Sequence, residues 1–499
     1  MKIIKILIIC TSISALFFSC IKDDGNYNYS AINDVEISGI EANYVATMLD
    51  SFKITPVLNR SLTATESDLK YSWTIYNSMN TYNFPDTLAK TRNLKILVNT
   101  IPGTYKVSYN VFDKNTGVRY RYEFNVVVTS ELQRGFLALS ELNGKANVTF
   151  IGVSGKVYQD IYDNINGEAV GTNPVSICYT YQAPIDYVAI LCNDARGGVY
   201  ISSTSFKKMY TLKDFFYDNL TLTNPQAFVV QEYYGSVSDY QAFGSKLFLT
   251  ANNKLYYRDA NYNTTIDGVS TRIETKFYNA FPGDYEISPV SFQALGRELF
   301  YDNKYKKFMY IADYAKPNLM VTAAKPTGIF DPANVGLDFI WGKFTISARN
   351  TYQCNSIFKD GSGNYFYLKF DMTNKAAVNP LKKVAIPAGF KIREAKTFAG
   401  NALQDYIYFA VGSKVYVFDC ILNQEREIYD FGTGKSVDNI RWHEAVLSSR
   451  IMHVCTSTSG STGRTGSIYE MNVATDGTLS IKNAYTNICG RVVSTHWKN

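Results

Sequence analysis

Residues that carry catalytic chemistry are scarce in this chain of 499 residues, which contains three histidines: His443, His453 and His496. An H-E-x-x-H motif, which would place two zinc ligands on one helical face, does not occur, and neither does a G-x-S-x-G nucleophile elbow. The pair His443-Glu444 in "RWHEAV" is a weak polar signal that a loop or strand end explains better. The sequence therefore predicts no catalytic residue, no metal site and no cofactor.

The string "GTGKS" at residues 432–436 is similar to the end of a phosphate-binding loop. The complete motif needs a glycine five residues before Gly434, and Tyr429 stands there. We therefore predict a simple turn.

Aromatic side chains are abundant, at 15% of the residues, with 39 Tyr and 30 Phe. Tyrosine and tryptophan offer flat apolar faces with a polar edge, which suit sugar rings and extended peptides. Trp341, Trp442 and the pair Tyr233-Tyr234 stand near loop-like residues, so they are the candidate ligand-binding residues. A packing role is the alternative for each of them.

Composition limits the class of protein. Hydrophobic residues make up 46% of the chain and charged residues 19%, with a formal net charge of +6, so the chain can form a large core but lacks the basic excess of a nucleic-acid-binding protein. The many tyrosines and phenylalanines favour strands. No C-x-x-C pair occurs, so we predict buried free thiols and leave a disulfide open. These cysteines are Cys178, Cys192, Cys354, Cys420, Cys455 and Cys489.

Residues 1–19 have the layout of a secretory signal, with Lys2 and Lys5 before an apolar run that ends at Ser19-Cys20. A small residue before such a cysteine resembles the lipobox of bacterial lipoproteins, and this resemblance implies that Cys20 is lipidated. The following residues 22–24, Lys-Asp-Asp, resemble the export signal of Bacteroidetes lipoproteins, which implies a place on the outer membrane facing the cell exterior. An ordinary secreted protein is the alternative. Later segments lack 18 consecutive apolar residues, so we expect the rest to lie outside the bilayer.

Two folded regions follow a flexible tether at residues 20–30. Residues 31–130 contain six or seven short strand-like runs, and Tyr105, Val107, Tyr109 and Val111 alternate onto one face. This pattern predicts a β-sandwich.

Two stretches of this region, "YSWTIY" and "IPGTYKVSYNVFDKNTG", resemble PKD-type, immunoglobulin-like domains. The resemblance implies that Trp73 is the core tryptophan, that Pro102-Gly103 turns into a strand, and that Asp113 begins a hairpin. The usual W-D-F-G-D-G string is replaced by "WTIYNS", so the copy is divergent. Such domains are spacers or interaction modules.

Residues 131–499 repeat paired strand runs at steps of roughly 40 to 60 residues, which is typical of β-propeller blades. Seven units indicate seven blades, with six or eight as alternatives, and a large sandwich or two β-domains as the other fold. The fifth unit, near residue 364, lacks a clear close partner strand. Asn252-Asn253 and Gly412-Ser413 suit two-residue hairpins. The C-terminal "NICGRVVSTHWKN" is expected to supply an outer strand that closes the ring.

A glycosidase on this scaffold is the enzymatic alternative, since two carboxylates from distant positions could flank a glycosidic bond. The acidic residues Asp194, Asp259, Asp313 and Asp419 recur near strand ends, where capping of turns explains them. The S-x-D-x-G-x-T-W box of sialidase-type propellers is missing.

The whole arrangement resembles the PKD-like family lipoproteins of Bacteroidetes, which accompany SusC/SusD-like transporters. The resemblance implies a non-catalytic surface accessory that binds glycan or peptide nutrients beside such a transporter and is held on the membrane by a lipid anchor. A surface glycoside hydrolase and a structural or adhesive protein are the alternatives.

Overall fold

The computed structural model describes most of the chain beyond its N-terminal tether. The described residues are 32–62, 66–77, 85–180, 187–218, 220–229, 246–259, 262–266, 269–273, 276–277, 279–288, 292–294, 297–312, 318–323, 328–348, 351–400, 404–443 and 449–498. They form two compact units, and the main change from one unit to the other falls between Val128 and Thr129.

The first unit is a β-sandwich, as predicted. A five-stranded sheet has the order β2-β9-β8-β5-β6, and the pairs β1-β4 and β3-β7 complete the unit. The strands are β1 (Val35–Ser38), β2 (Asn43–Thr47), β3 (Ser51–Ile54), β4 (Val57–Arg60), β5 (Leu69–Asn77), β6 (Asp86–Ala89), β7 (Leu94–Leu97), β8 (Gly103–Asp113) and β9 (Arg119–Thr129), with a 3-10 turn at Glu66–Asp68.

Trp73 is the centre of the sandwich core. Its side chain is fully buried, its ring lies 4.2 Å from that of Tyr109, and its indole N–H donates to the carbonyl of Thr91 at 2.9 Å. The strand β8 begins at Gly103, directly after the predicted turn. Asp113 opens the β8-β9 hairpin by accepting the backbone N–H of Asn115 at 2.8 Å. The local predictions that followed from the PKD resemblance are therefore confirmed.

The second unit is a ring of seven sheets in the described part of the chain, which confirms the propeller. Apart from the last strand of the chain, the strands of each sheet are consecutive in sequence, and we number the sheets as blades. Blades 1 to 3 contain β10 (Gly135–Leu142), β11 (Lys145–Gly152) and β12 (Val157–Tyr158); β13 (Pro174–Thr180), β14 (Tyr187–Cys192), β15 (Gly198–Ser202) and β16 (Lys208–Thr211); and β17 (Gln226–Val229), β18 (Lys246–Ala251) and β19 (Lys254–Asp259).

A hairpin of β20 (Tyr262–Ile266) and β21 (Val269–Ile273) precedes the other four blades. They contain β22 (Phe292–Ala294), β23 (Arg297–Asp302), β24 (Lys307–Ile311) and β25 (Leu319–Val321); β26 (Asp338–Ala348), β27 (Thr351–Lys359), β28 (Tyr365–Asp371) and β29 (Asn379–Ile386); β30 (Thr397–Ala399), β31 (Tyr406–Val411), β32 (Lys414–Asp419) and β33 (Gln424–Asp430); and β34 (Lys435–Trp442), β35 (Ile451–Thr458), β36 (Gly466–Val473) and β37 (Leu479–Cys489).

Helical structure in the described residues is confined to short segments. The helix α1 (Ile161–Asn166) joins blades 1 and 2, and 3-10 turns lie at Glu131–Gln133, Leu212–Phe215 and Lys391–Glu394. No helix in the described ranges has the length and apolar character that crossing a bilayer requires.

The last strand, β38 (Arg491–Lys498), closes the ring by pairing with β10, so blade 1 has the order β38-β10-β11-β12. The prediction of an outer strand is wrong. β38 packs beside β13 and β34, the first strands of blades 2 and 7, and therefore takes the inner position of its blade. The chain begins the propeller with the second strand of blade 1, which leaves the inner position for its C-terminal end.

The turns follow the residue types that the sequence offers. Asn252 and Asn253, with φ of 54° and 57°, form the two-residue turn between β18 and β19, and Gly412-Ser413 does the same between β31 and β32. Asparagine and glycine tolerate this left-handed backbone, which matches the twist of a hairpin. The fifth unit does have close partners: β28 pairs with β27 on one side and β29 on the other.

The six cysteines beyond the N-terminal segment are free and buried, as predicted. Burial raises the pKa of the Cys192 thiol to about 12 and shifts that of Cys354 well above its ordinary value. Thiols held protonated in apolar surroundings are inert packing groups.

Candidate functional site

The candidate residues chosen from the sequence do not come together. Trp341 lies in β26, half-buried, with its ring stacked 5.7 Å from that of Phe398 between blades 5 and 6. Trp442 ends β34, is 4% exposed, and donates its indole N–H to the carbonyl of Ser449 at 3.0 Å. It packs against Tyr408 of blade 6, so its faces serve the core. Tyr233, Tyr234 and Cys20 lie outside the described residues.

The predicted turn-capping carboxylates behave as turn residues where the structure describes them. Asp194 accepts the backbone N–H of Arg196 at 2.9 Å, and Asp419 accepts that of Ile421 at 2.8 Å. Both are Asx-type contacts that close a hairpin. Asp259 ends β19, and Asp313 falls outside the described ranges.

A different set of residues meets where blade 7 packs on blade 1, and we call it the histidine–tryptophan shelf: His443, His453, Trp497 and Phe136. The ring centroids of His443 and Trp497 are 4.0 Å apart, and His453 stacks on Phe136 at 4.0 Å with an interplanar angle of 17°. His453 also lies 5.5 Å from His443 and 6.1 Å from Trp497. Four flat rings thus share one small volume.

Strand pairing explains why these residues meet. His453 in β35 sits opposite Arg441 in β34, on the face of blade 7 that turns towards blade 1. Trp497 in β38 sits opposite Phe136 in β10, on the facing side of blade 1. A hydrogen bond also joins the two sheets, because the Arg441 guanidinium donates to the carbonyl of Thr495 at 2.7 Å. The shelf therefore rests on four regular strands.

The third histidine lies on the other side of β38. Side chains alternate along a strand, so His496 points away from the shelf that its neighbour Trp497 joins. Lys498, on the same side as His496, places its ammonium 5.3 Å above the ring of Tyr179 in blade 2. Two of the three histidines are therefore brought together, and the third is not.

Exposure differs within the shelf. His443 and Trp497 are half-buried, whereas His453 is 5% exposed and Phe136 is 2% exposed. The accessible rings thus lie on a buried layer. The shelf is a partly open aromatic surface with a rigid base.

Basic groups lie close to the buried imidazole of His453. Burial lowers the pKa of His453 well below its ordinary value, and the neighbouring His443, Arg441 and Lys482 lower it further. His453 is therefore neutral at physiological pH. Its Nδ1 is buried and has no hydrogen-bond partner among the described residues. The adjacent carboxylate, Glu470, is held by Lys482 at 3.1 Å.

The described groups of the shelf differ from those of a metal or hydrolytic centre. Within the described ranges, no group of three or more His, Cys, Asp or Glu side chains could hold a metal ion. On the shelf face of blade 7, Glu470 is the carboxylate that register places opposite His453, and Lys482 and Asn483 already engage it. The arrangement can stack a ring and hydrogen-bond its edge.

Sequence reasoning noted "RWHEAV" but did not find this site. His453 and Trp497 stand 44 residues apart in sequence, in strands that the ring closure joins, and neither has a local motif. The one signal available was the scarcity of histidine, since two of three histidines converge.

A comparison with known families agrees with the sandwich. Residues 20–174 match the model of the PKD-like family, a stretch that runs past the sandwich through β10, β11 and β12 of blade 1. Among curated proteins, none matches the chain.

Several solved structures are similar over most of the chain at low identity. A quinonprotein alcohol dehydrogenase-like protein of Bacteroides thetaiotaomicron is 12% identical, covers 94% of this chain and 100% of its own, and gives a TM-score of 0.48. An apocarotenoid oxygenase of Synechocystis is 9% identical, with 94% and 97% covered and a TM-score of 0.40. AztD of Citrobacter koseri is 9% identical, with 86% and 99% covered and a TM-score of 0.33. Likenesses of this size say nothing about what this chain binds, and the propeller assignment rests on its own strand order.

Proposed function

We propose that this protein is a non-catalytic binding protein of the bacterial outer surface that captures glycan through the histidine–tryptophan shelf. The observation that carries the proposal is the half-buried pair Trp497 and His443, with ring centroids 4.0 Å apart, on a buried base of His453 and Phe136. Tryptophan faces stack on the apolar faces of sugar rings, and a fixed base reduces the entropy lost on binding.

Binding fits the shelf better than hydrolysis. A glycosidase needs two carboxylates about 5 to 10 Å apart on either side of the scissile bond. On the described shelf face, Glu470 is tied to Lys482 and Asn483 and therefore serves as a structural partner. A ligand lying on Trp497 would meet aromatic and cationic groups, which hold a sugar without cleaving it.

The N-terminal segment would attach the protein to the outer membrane. Lipid chains on Cys20 would hold the molecule on the outer membrane through their buried methylene groups, and the residues after Cys20 would let it stand away from the surface. A tethered binder keeps a captured polymer close to a SusC/SusD-like transporter even when each contact is weak, because its effective concentration there is high.

The tether is tested separately from the shelf. Metabolic labelling of cells with a fatty-acid probe should mark the wild-type protein and leave the Cys20→Ala variant unmarked. A wild-type protein without label, secreted into the medium, would contradict the lipid anchor and leave the shelf proposal standing.

Binding at the shelf is tested with the lipid-free protein, residues 21–499, by affinity electrophoresis and calorimetry against neutral polysaccharides, acidic polysaccharides and peptides. We expect at least one polysaccharide to bind and Trp497→Ala to weaken it about tenfold or more, the usual loss for a central tryptophan. Tyr217→Ala is the control, since Tyr217 is 82% exposed and lies between blades 2 and 3.

Three results would contradict the proposal. The first is a panel in which no polysaccharide binds. The second is a Trp497→Ala variant that keeps its thermal stability and binds like wild type. The third is the release of reducing sugar from a bound polymer, which would indicate a hydrolase.

A further inference from the structure

We propose that the outer face of the sandwich docks on the anionic lipid headgroups of a membrane. The surface is the end of the five-stranded sheet next to the β8-β9 hairpin, where Lys70, Phe112 and Arg119 lie side by side on β5, β8 and β9. We call these three residues the basic row. The inference is independent of the histidine–tryptophan shelf and takes from the proposed function only the lipid anchor at Cys20.

Strand alternation turns the basic row away from the core. On β8, Val111 and Asp113 are buried on the inner side of the sheet, so Phe112 between them points outwards. Lys70 and Arg119, which the register places on either side of Phe112, are both exposed. The row therefore presents two cations to solvent on strands roughly 10 Å apart, with a half-buried ring between them.

The two cations of the basic row are not neutralised by a neighbour. Within the described part of the chain, neither Lys70 nor Arg119 belongs to an ion pair. The carboxylate on the same face, Glu123, lies farther along β9 and is shared by Arg121 and by Lys106, the latter at 3.6 Å. Four cations of these three strands thus face one carboxylate.

Charged groups at the margin of this face leave it positive. The carboxylates Asp68 and Glu41 come just before β5 and β2. Lys114, in the β8-β9 hairpin, adds a cation beside the basic row, and its ammonium bonds to the backbone carbonyl of Ser67, which carries no charge. With all of these counted, five cations stand against three carboxylates on the described residues of this face. A surface of this sign attracts anions.

The chain enters the described structure beside the basic row. Asn33 donates its side-chain amide to Asp113 at 3.1 Å, and its carbonyl accepts the hydroxyl of Tyr120. Both partners are adjacent in sequence to residues of the row. The link from Cys20 to Asn33 spans at most about 45 Å when fully extended. A lipid on Cys20 would therefore hold the row within that distance of the membrane surface, where the effective concentration of headgroups is high.

Lipid phosphates match the chemistry of this surface. Guanidinium and ammonium groups form charge-assisted hydrogen bonds with phosphate oxygens. Each lysine or arginine close to an anionic lipid surface strengthens binding about fivefold. Because the row lies on a regular sheet, its two cations can meet one plane of headgroups at the same time.

Vesicle sedimentation with the lipid-free protein, residues 21–499, tests the inference. Phosphatidylcholine vesicles that contain about 30% phosphatidylglycerol should bind the protein about tenfold more tightly than vesicles of phosphatidylcholine alone. The difference should shrink in about 0.5 M NaCl, because salt screens exposed charges. Equal binding to the two kinds of vesicle, or binding to neither, would overturn the inference.

A double variant assigns the binding to the basic row. Lys70→Gln/Arg119→Gln should weaken binding to the anionic vesicles about tenfold or more, while Arg119→Lys, which keeps the charge, should bind like wild type. The matched control is Lys53→Gln/Lys95→Gln, which removes two exposed cations that also lie opposite each other, but on the pair β3-β7. Equal losses in the two double variants would overturn the row as the docking surface.

The acidic pair Asp23 and Asp24 lies outside the described residues, so its effect is measured as well. Asp23→Asn/Asp24→Asn should bind the anionic vesicles at least as tightly as wild type. Vesicle binding that occurs in this variant alone would overturn the inference, because it would assign the row to the acidic pair. These measurements leave the shelf untouched, since its polysaccharide panel is a separate experiment.

Discussion

Two seams of the same propeller are built from different chemistry. Between blades 4 and 5, the fully buried Tyr301 contacts the rings of Phe308, Phe339 and Phe358. Phe292 packs edge to face on Phe339 with a centroid distance of 5.0 Å. Between blades 7 and 1, the same kind of joint contains two imidazoles, a guanidinium and a half-buried indole.

The difference shows what the architecture requires and what it does not. Apolar burial and contacts between rings are enough to join two blades, and in this seam the Tyr301 hydroxyl is satisfied by the carbonyl of Leu337. Burying an imidazole whose Nδ1 lacks a hydrogen bond costs free energy that such a seam avoids. The Arg441 guanidinium joins blades 7 and 1 through Thr495, but the buried imidazole of His453 points to a role other than holding the ring together.

The largest change in the free energy of unfolding is expected in the seam between blades 4 and 5, which we call the aromatic seam. Phe358→Ala removes a fully buried ring that contacts Tyr301, Phe308 and Phe339, and the cavity should lower the free energy of unfolding by about 3 to 5 kcal/mol. Chemical denaturation of the lipid-free protein measures it. Phe366→Ala, which truncates a ring only partly buried beside the same core, is the control and should cost less.

A loss below about 1 kcal/mol for Phe358→Ala would mean that the seam between blades 4 and 5 relaxes around the missing ring. Tight aromatic packing would then no longer distinguish this seam from the one between blades 7 and 1.

A smaller change in stability, of opposite sign, is expected in the seam between blades 7 and 1, which we call the polar seam. Asp438, at the β-bulge of β34, has a pKa raised to about 6, chiefly by burial, which outweighs the lowering by Ser457 and Arg491. Between pH 4 and pH 6 the folded protein holds a proton that the unfolded chain has released, so this carboxyl makes stability fall as the pH rises through that window. Above pH 6 the full cost is present.

Asp438→Asn should therefore stabilise the protein by about 1 to 2 kcal/mol at pH 7.5, after allowance for partial solvent screening, and change little below pH 4. Thermal unfolding from pH 4 to pH 8 measures the difference. A variant less stable than wild type at pH 7.5 would show that the ionised carboxylate supports the seam, and the two seams would then differ in composition alone.

The sequence predicted the sandwich in detail because its signals are local. The alternation from Tyr105 to Val111 and the indole of Trp73 report burial directly, and residue types such as Asn252-Asn253 select the turn. The strands β2 and β6 give a weaker local signal, because each is short, with at most one buried residue. The fifth blade looked weak because β27 and β28 are joined by a longer turn, Asp360 to Asn364, that interrupts the paired pattern.

The site was largely beyond prediction. Trp341 and Trp442 were chosen for their neighbours in sequence, but whether a tryptophan faces a core or a ligand depends on which side of its strand meets the next blade. Trp442 packs inward on blade 6, while the adjacent His443 turns to the shelf. A single residue step reverses the face, and periodicity alone does not reveal which face is covered.

What the sequence by itself determined is the all-β class, the sandwich before a repeating ring, and the turns and buried thiols, since each follows from local residue type and spacing. What only the tertiary structure decided is the inner place of β38 and the meeting of His443 and His453 with Trp497. Those residues come together because the C-terminal strand pairs with β10, some 350 residues earlier. Closure of a ring is a property of the whole chain, so no local stretch records it.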